Sequence, residues 1–213
     1  MKTAKKALLF TFCAVLLVVA SVLGTMAYLT SSDTVTNTFT VGKVGLILDE
    51  KDYDNSKTDV TTEGRDKANT YHLLPGHEYD KDPTVTVLKG SEKSYVRMIV
   101  TINEQSDLDA IFAPNGLPLN DFFGGVSTEW TLYGEVENTG NDTRSYEFRY
   151  NDTVAAPDGD VVLDDLFETI KVPGDITKEQ LATISDLKIE VEAHAIQADG
   201  FADADAAWDS FKK

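Results

Sequence analysis

The sequence predicts an all-β protein, an antiparallel β-sandwich of jelly-roll-like design with a few short helices. Three observations lead there. Short runs alternate apolar and polar residues with a period of two, the mark of strands buried on one face. Turn-forming clusters such as Lys89-Gly90-Ser91 and Asn138-Thr139-Gly140-Asn141-Asp142 separate those runs. Helical periodicity is sparse, and no strand–helix–strand rhythm suggests a parallel sheet.

In chain order, Phe39 and Val41 share one parity while Val44, Leu46 and Leu48 share the other, so a bulge or bend is expected at Gly42-Lys43. Residues 49–69 are polar and charged and predict a long exposed excursion. Residues 84–88 place Val85 and Val87 on one face. Residues 94–103 give the clearest strand, with Val96, Met98, Val100 and Ile102 opposite Tyr95, Arg97, Ile99 and Thr101. A helical turn is expected over 107–112. Residues 129–137 are expected to bury Trp130, Leu132 and Val136. Residues 144–150 then alternate Tyr146, Phe148 and Tyr150 against Ser145, Glu147 and Arg149, and the two runs read as a hairpin. Residues 166–172 predict a strand, because Thr169, Ile170 and Val172 are β-branched. A short helix is expected over 177–182, capped by Thr177. In the last strand Leu187, Ile189, Val191, Ala193 and Ala195 oppose Lys188, Glu190, Glu192 and a solvated His194. The tail 201–213 holds a short C-terminal helix, with Trp208 and Phe211 three residues apart.

Residues 1–27 read as a signal peptide. Lys2, Lys5 and Lys6 precede an uncharged apolar run over 7–24, and Thr25-Met26-Ala27 puts small residues where a signal peptidase binds an extended segment. Cleavage is expected between Ala27 and Tyr28, leaving one domain, 28–213, whose first residues, 28–38, form a flexible N-terminal arm. The run approaches the roughly 20 residues that span a bilayer, so an uncleaved anchor is the alternative. The lone Cys13 lies inside this run, and the processed chain carries no disulfide. The destination is secreted, extracellular or cell-surface, in keeping with a Gram-positive bacterium.

The formal net charge is -17. Without the three leader lysines, 16 basic side chains face 36 acidic ones, a charge of -20. Such a surface repels nucleic-acid phosphates and anionic headgroups, so no nucleic-acid partner is expected and the membrane is met only through the signal segment.

Of the three histidines, His72 and His77 can meet across Leu73-Leu74-Pro75-Gly76 with Glu78 as a third zinc ligand. The helical zinc-hydrolase pattern is absent: Lys81 stands where the second histidine belongs, and Pro75-Gly76 opposes a helix. Asp52, Asp54, Ser56, Thr58 and Glu63 match ligand positions of a calcium loop, but Lys57 replaces the obligatory glycine and no helices flank it. The reading is a solvated charge cluster with no resident cofactor, zinc or calcium being the weaker alternatives. No nucleophile elbow or phosphate-binding glycine loop occurs, so no catalytic residue is assigned.

Four stretches, in this order, resemble the TasA/camelysin family of Gram-positive bacteria. They are Thr25-Met26-Ala27-Tyr28-Leu29-Thr30 with Asn37-Thr38-Phe39-Thr40-Val41-Gly42; Leu74-Pro75-Gly76 leading into Lys81-Asp82-Pro83-Thr84-Val85-Thr86-Val87; Gly90-Ser91 with Ser94-Tyr95-Val96-Arg97; and the run from Val191 through His194 to Phe201, with Ala207-Trp208. The chain departs from the family at Val87-Leu88-Lys89, where many members carry an Asn-Thr-Gly-like turn. The resemblance implies a jelly-roll-like sandwich, a leader removed by a SipW-type signal peptidase, and a biofilm matrix protein that self-associates or joins homologous matrix proteins into fibres. In such fibres the arm of one subunit, here about 28–38, completes a sheet of the next. Camelysin is described as a metalloprotease, which makes a secreted metallopeptidase the enzymatic alternative. A ligand-binding adhesin, using Tyr133 or Trp208, is the third.

Overall fold

The structure, a computed structural model, describes residues 2–28, 42–54, 64–112 and 119–211. The chain forms two units, Met1–Val41 and Gly42–Lys213.

The described part of the first unit is a helix, α1 (Lys2–Tyr28). An apolar run without proline satisfies its backbone internally as a helix, and the single Gly24 costs only about 1 kcal/mol. Leu8, Leu9, Phe10, Phe12 and Cys13 are all exposed on it. Ala27 and Tyr28, the expected cleavage junction, occupy the last turn of α1. The rest of the expected arm, with Phe39 and Val41, lies outside the described residues. Among the described residues no helix is long and apolar enough to cross a membrane.

The second unit is mostly β. Its strands are β1 (Leu46–Lys51), β2 (Arg65–Asp66), β3 (Glu78–Asp80), β4 (Thr84–Val87), β5 (Ser91–Asn103), β6 (Phe123–Gly124), β7 (Trp130–Asn138), β8 (Thr143–Tyr150), β9 (Val154–Ala156), β10 (Val161–Val162), β11 (Thr169–Lys171) and β12 (Ile189–Gln197). Its helices are α2 (Gln105–Phe112), α3 (Leu119–Phe122), α4 (Lys178–Thr183) and α5 (Ala204–Ser210). The largest sheet runs β12-β5-β8-β7, with β9 also on β5; a second runs β10-β4-β1-β2 and a third β3-β11-β6. Every named pair is antiparallel.

The period-two pattern of β5 becomes the core. Val96, Met98, Val100 and Ile102 are at most 1% exposed. Met98 lies opposite Phe148 and Ala193, and Val100 opposite Tyr146 and Val191. Val85 and Val87 of β4 and Phe122, Phe123, Phe167 and Ile170 complete the same apolar cluster. The expected strand at 166–172 is realised only over β11, because Leu166 and Phe167 are both buried and cannot alternate.

The hairpin β7–β8 forms, but Leu132 and Val136 are 44% and 67% exposed rather than buried. The register shifts between Leu132 and Gly134, so Tyr133 is an extra residue that inverts the parity beyond it. Glu135 and Glu137 now lie opposite Tyr146 and Arg144. The Arg144 guanidinium is buried and forms ion pairs with Glu135 at 2.9 Å, Asp109 at 3.2 Å and Glu137. A buried guanidinium demands carboxylate partners, and the bulge delivers two of them in place of Val136.

The outer face of β5, β8 and β12 is not left to solvent. Asp203 caps α5 by accepting from the Ala206 N–H at 2.9 Å, and α5 places Trp208 against Arg97, whose guanidinium lies 4.3 Å from the ring centroid. Arg97 donates through Nε to His194 Nδ1 at 3.3 Å, and the His194 ring lies 4.9 Å from Phe211. His194, expected to be solvated, is therefore half-buried. Thr177 caps α4 reciprocally with Gln180, as the sequence predicts.

Two substitutions test this packing, and the second distinguishes the bulged register from a regular one. Phe148→Ala is expected to cost about 3–5 kcal/mol in denaturant unfolding. Val136→Ala is expected to stay within about 0.5 kcal/mol of the parent, as for an exposed side chain; a loss above 1 kcal/mol would mean that Val136 faces the core.

Candidate functional site

The segment expected to be an exposed excursion is anchored by buried charge at both described ends. Asp49, Glu50 and Asp66 are all buried, as are Lys81 and Asp82. Arg65 on β2 donates from Nε to Asp49 at 2.6 Å and from a terminal nitrogen to Asp82 at 3.0 Å. It also reaches the carbonyls of Asp49 and Asp82 at 3.1 and 3.3 Å. One planar fork thus ties β1, β2 and the approach to β4 together. On the other side of β1, Lys81 Nζ binds both oxygens of Glu50 at 2.9 and 2.7 Å. Residues 55–63, including Ser56, Thr58 and Glu63, lie outside the described residues.

Above the Lys81–Glu50 pair opens a groove of about 1510 Å³. It is lined by consecutive residues of β1 from Leu46 to Glu50 and of β12 from Ile189 to His194. When both parities of a strand line a groove, the strand presents its edge rather than its face. Among the described residues β12 pairs only with β5, and Leu46–Asp49 of β1 pair only with β4. β1 approaches β12 to Cα separations of 8 Å or less without joining its ladder. Leu73, Leu181 and Tyr71 also line it. The volume exceeds the ~300–1,000 Å³ of small-molecule pockets, so it suits an extended segment better than a compact ligand.

Burial, reinforced by Glu50, Asp82 and Asp54, pushes the Tyr71 hydroxyl well above the ordinary phenol range. Burial, with Asp82 and Asp80, does the same to Tyr53. Tyr71 donates to the Asp80 carbonyl at 3.0 Å.

The sequence-predicted zinc candidates stand apart from this charge. His72, His77 and Glu78 are exposed, and His72 sits on the groove wall. Among the described residues the one group of three or more metal-ligand side chains that gathers is Asp52, Asp54 and Asp66. The Asp-x-Asp half of that triad was visible in the sequence as part of the calcium-loop match; Asp66 was not, since only the β1–β2 pairing brings it there. Trp208 is 5% exposed and packs on Arg97, whereas Tyr133 is open and carries the Arg149 guanidinium 3.2 Å from its ring centroid.

Removing one partner of the buried pair leaves a charge stranded. Lys81→Met alone is expected to cost about 3–5 kcal/mol, and adding Glu50→Leu to recover most of it, measured as a double-mutant cycle in urea. The raised tyrosines set an alkaline limit. An unfolded phenol ionises near pH 10, so below that value their contribution is intact. Above it the unfolded chain sheds protons that the folded chain keeps, and stability falls as pH rises. Phenolate absorbance at 295 nm from Tyr53 and Tyr71 is therefore expected to appear together with the loss of far-UV circular dichroism, not before it.

Compared with known proteins, the chain matches no family model, no curated protein and no solved structure at a significant level. The likeness to the TasA/camelysin family rests on its motifs alone.

Proposed function

We propose that this chain is an exported structural protein of the cell surface or extracellular matrix, a jelly-roll-like sandwich that assembles by strand addition. The groove between β1 and β12 is the observation that carries this reading. A strand edge offers rows of N–H and C=O groups that an extended segment of another chain can satisfy. The proposed occupant is the arm 28–38 of a second copy or of a homologous matrix protein. At about 3.3 Å per residue that segment reaches along all nine residues of β12. Its Thr30, Ser31, Ser32, Thr34, Thr36 and Thr38 suit an extended strand. Two strand spacings need about 9.6 Å, more than the closest approach of β1 to β12, so insertion displaces β1 and assembly begins with a lag. Removal of the leader by a SipW-type signal peptidase would free the arm. Among the described residues no group of three metal-ligand side chains includes His72, His77 or Glu78, so nothing there favours the metallopeptidase alternative.

Electron microscopy of the chain starting at Tyr28 is expected to show filaments. Salt should hasten their growth, because about 0.1 M salt cuts the reach of charge repulsion to roughly 10 Å. Deleting residues 28–38 is expected to leave a monomer with the same circular dichroism. Monomers from both chains, or identical filaments from both, would contradict the proposal.

A further inference from the structure

The apolar core is closed on one side of β5 and unfinished on the other. Val96, Met98, Val100 and Ile102 are at most 1% exposed, and Tyr146 and Phe148 of β8 at most 2%. On the β12 side, Ile189, Val191, Ala193 and Ala195 lie opposite those buried residues of β5, yet each is only half-buried. Leu46 and Leu48 of β1 are half-buried as well. All six pack against the core, so they point inward and still meet solvent. An inward side chain on a border strand is covered from one side only, and an added strand supplies the other cover. Five of the six, all but Ala195, line the groove.

In strand addition, main-chain hydrogen bonds give affinity and alternate side chains give selectivity. The argument that follows rests on the proposed seating of the arm 28–38 of a second copy in this groove. Extended, that arm divides into two faces. Leu29, Ser31, Asp33, Val35 and Asn37 share one; Tyr28 and the residues Thr30, Ser32, Thr34, Thr36 and Thr38 share the other. Both aliphatic side chains fall on the first face. Leu29 and Val35 are six residues apart, the same step as Ile189 to Ala195 on β12, about 20 Å of extended chain. Two anchors with that separation match the half-buried row end to end.

Asp33 shares their face and needs a cation if it enters an apolar groove. Three exposed lysines, Lys67, Lys178 and Lys188, line the groove. Among the described residues the lysines that pair with carboxylates are Lys51 and Lys81, so these three are not committed to another partner. They offset Asp186, Glu190 and Glu192 of the same lining. An incoming strand therefore meets balanced charge here, on a surface that is otherwise strongly acidic.

We propose that the groove reads the incoming arm by parity. Leu29 and Val35 of a second copy turn inward onto the half-buried row of β12 and β1 and fix the register of the added strand. Asp33 is held by the groove lysines, and the threonine-rich face stays outward.

A peptide of residues 28–38, labelled with fluorescein at its C-terminus, is titrated into the full-length chain in mild detergent and followed by anisotropy. Saturable binding is expected. Leu29→Ser and Val35→Ser should each weaken it about tenfold or more, the loss of a buried aliphatic group. Thr30→Ser and Thr34→Ser, on the other face, should stay within about twofold of the parent. Asp33→Lys should weaken binding more at low salt than at high; a loss independent of salt would remove the lysines from the proposal. Because only the peptide is altered, no variant can fail by unfolding the chain. Absence of binding by the parent peptide overturns strand addition and this inference together. Binding that survives both aliphatic substitutions, or that falls equally with the two threonine ones, overturns the parity assignment and leaves strand addition standing.

Discussion

A single thirteen-residue strand, β5, hydrogen-bonds to β12 along one side and to β8 and β9 along the other. Its alternate residues go to opposite duties. Val96, Met98, Val100 and Ile102 enter the core, and Arg97 on the other face holds Glu147, His194 and the Trp208 ring. A slip of one residue would put the arginine in the core and the valines under α5, so both packings fix the same register. Because β5 is the one sheet partner of β12 among the described residues, the position of the groove is inherited from that register.

Arginine is the second organising element. All four arginines of the chain, Arg65, Arg97, Arg144 and Arg149, pair with carboxylates, and three of them hold more than one. In so acidic a protein, carboxylates are abundant and guanidinium groups scarce. Each fork therefore serves as a cross-link between elements far apart in sequence: β1 to the approach to β4 through Arg65, β8 to α5 through Arg149. Most of these pairs are partly exposed and contribute specificity of docking more than net stability.

How much of this was readable beforehand differs by element. β5, β8 and β4 were legible because a strand with one buried face writes its environment into alternate residues. β7 was half legible. Trp130 is buried as its pattern implies, but the extra residue at Tyr133 reverses the later parity for the sake of Arg144, a partner on another strand. The burial of Asp49, Glu50 and Asp66 left no local trace. Acidic side chains read as solvated unless their counter-ions are known, and Lys81 is thirty-one residues from Glu50. The groove was invisible for a related reason: it is made of backbone edges, and period-two patterns report faces only. Of the carboxylate triad, the half on one arm of the hairpin showed in the sequence, and the half supplied by strand pairing did not.

The kink at Tyr133 also makes the main sheet unequal at its two ends. Beyond the kink, β7 turns Glu135 and Glu137 in toward Arg144 and leaves a twisted, acid-rich border that a neighbouring strand cannot lie flat against. The β12 border is nine residues long and has no such irregularity. Any strand that adds to this sheet is therefore directed to the β12 border and away from the β7 border.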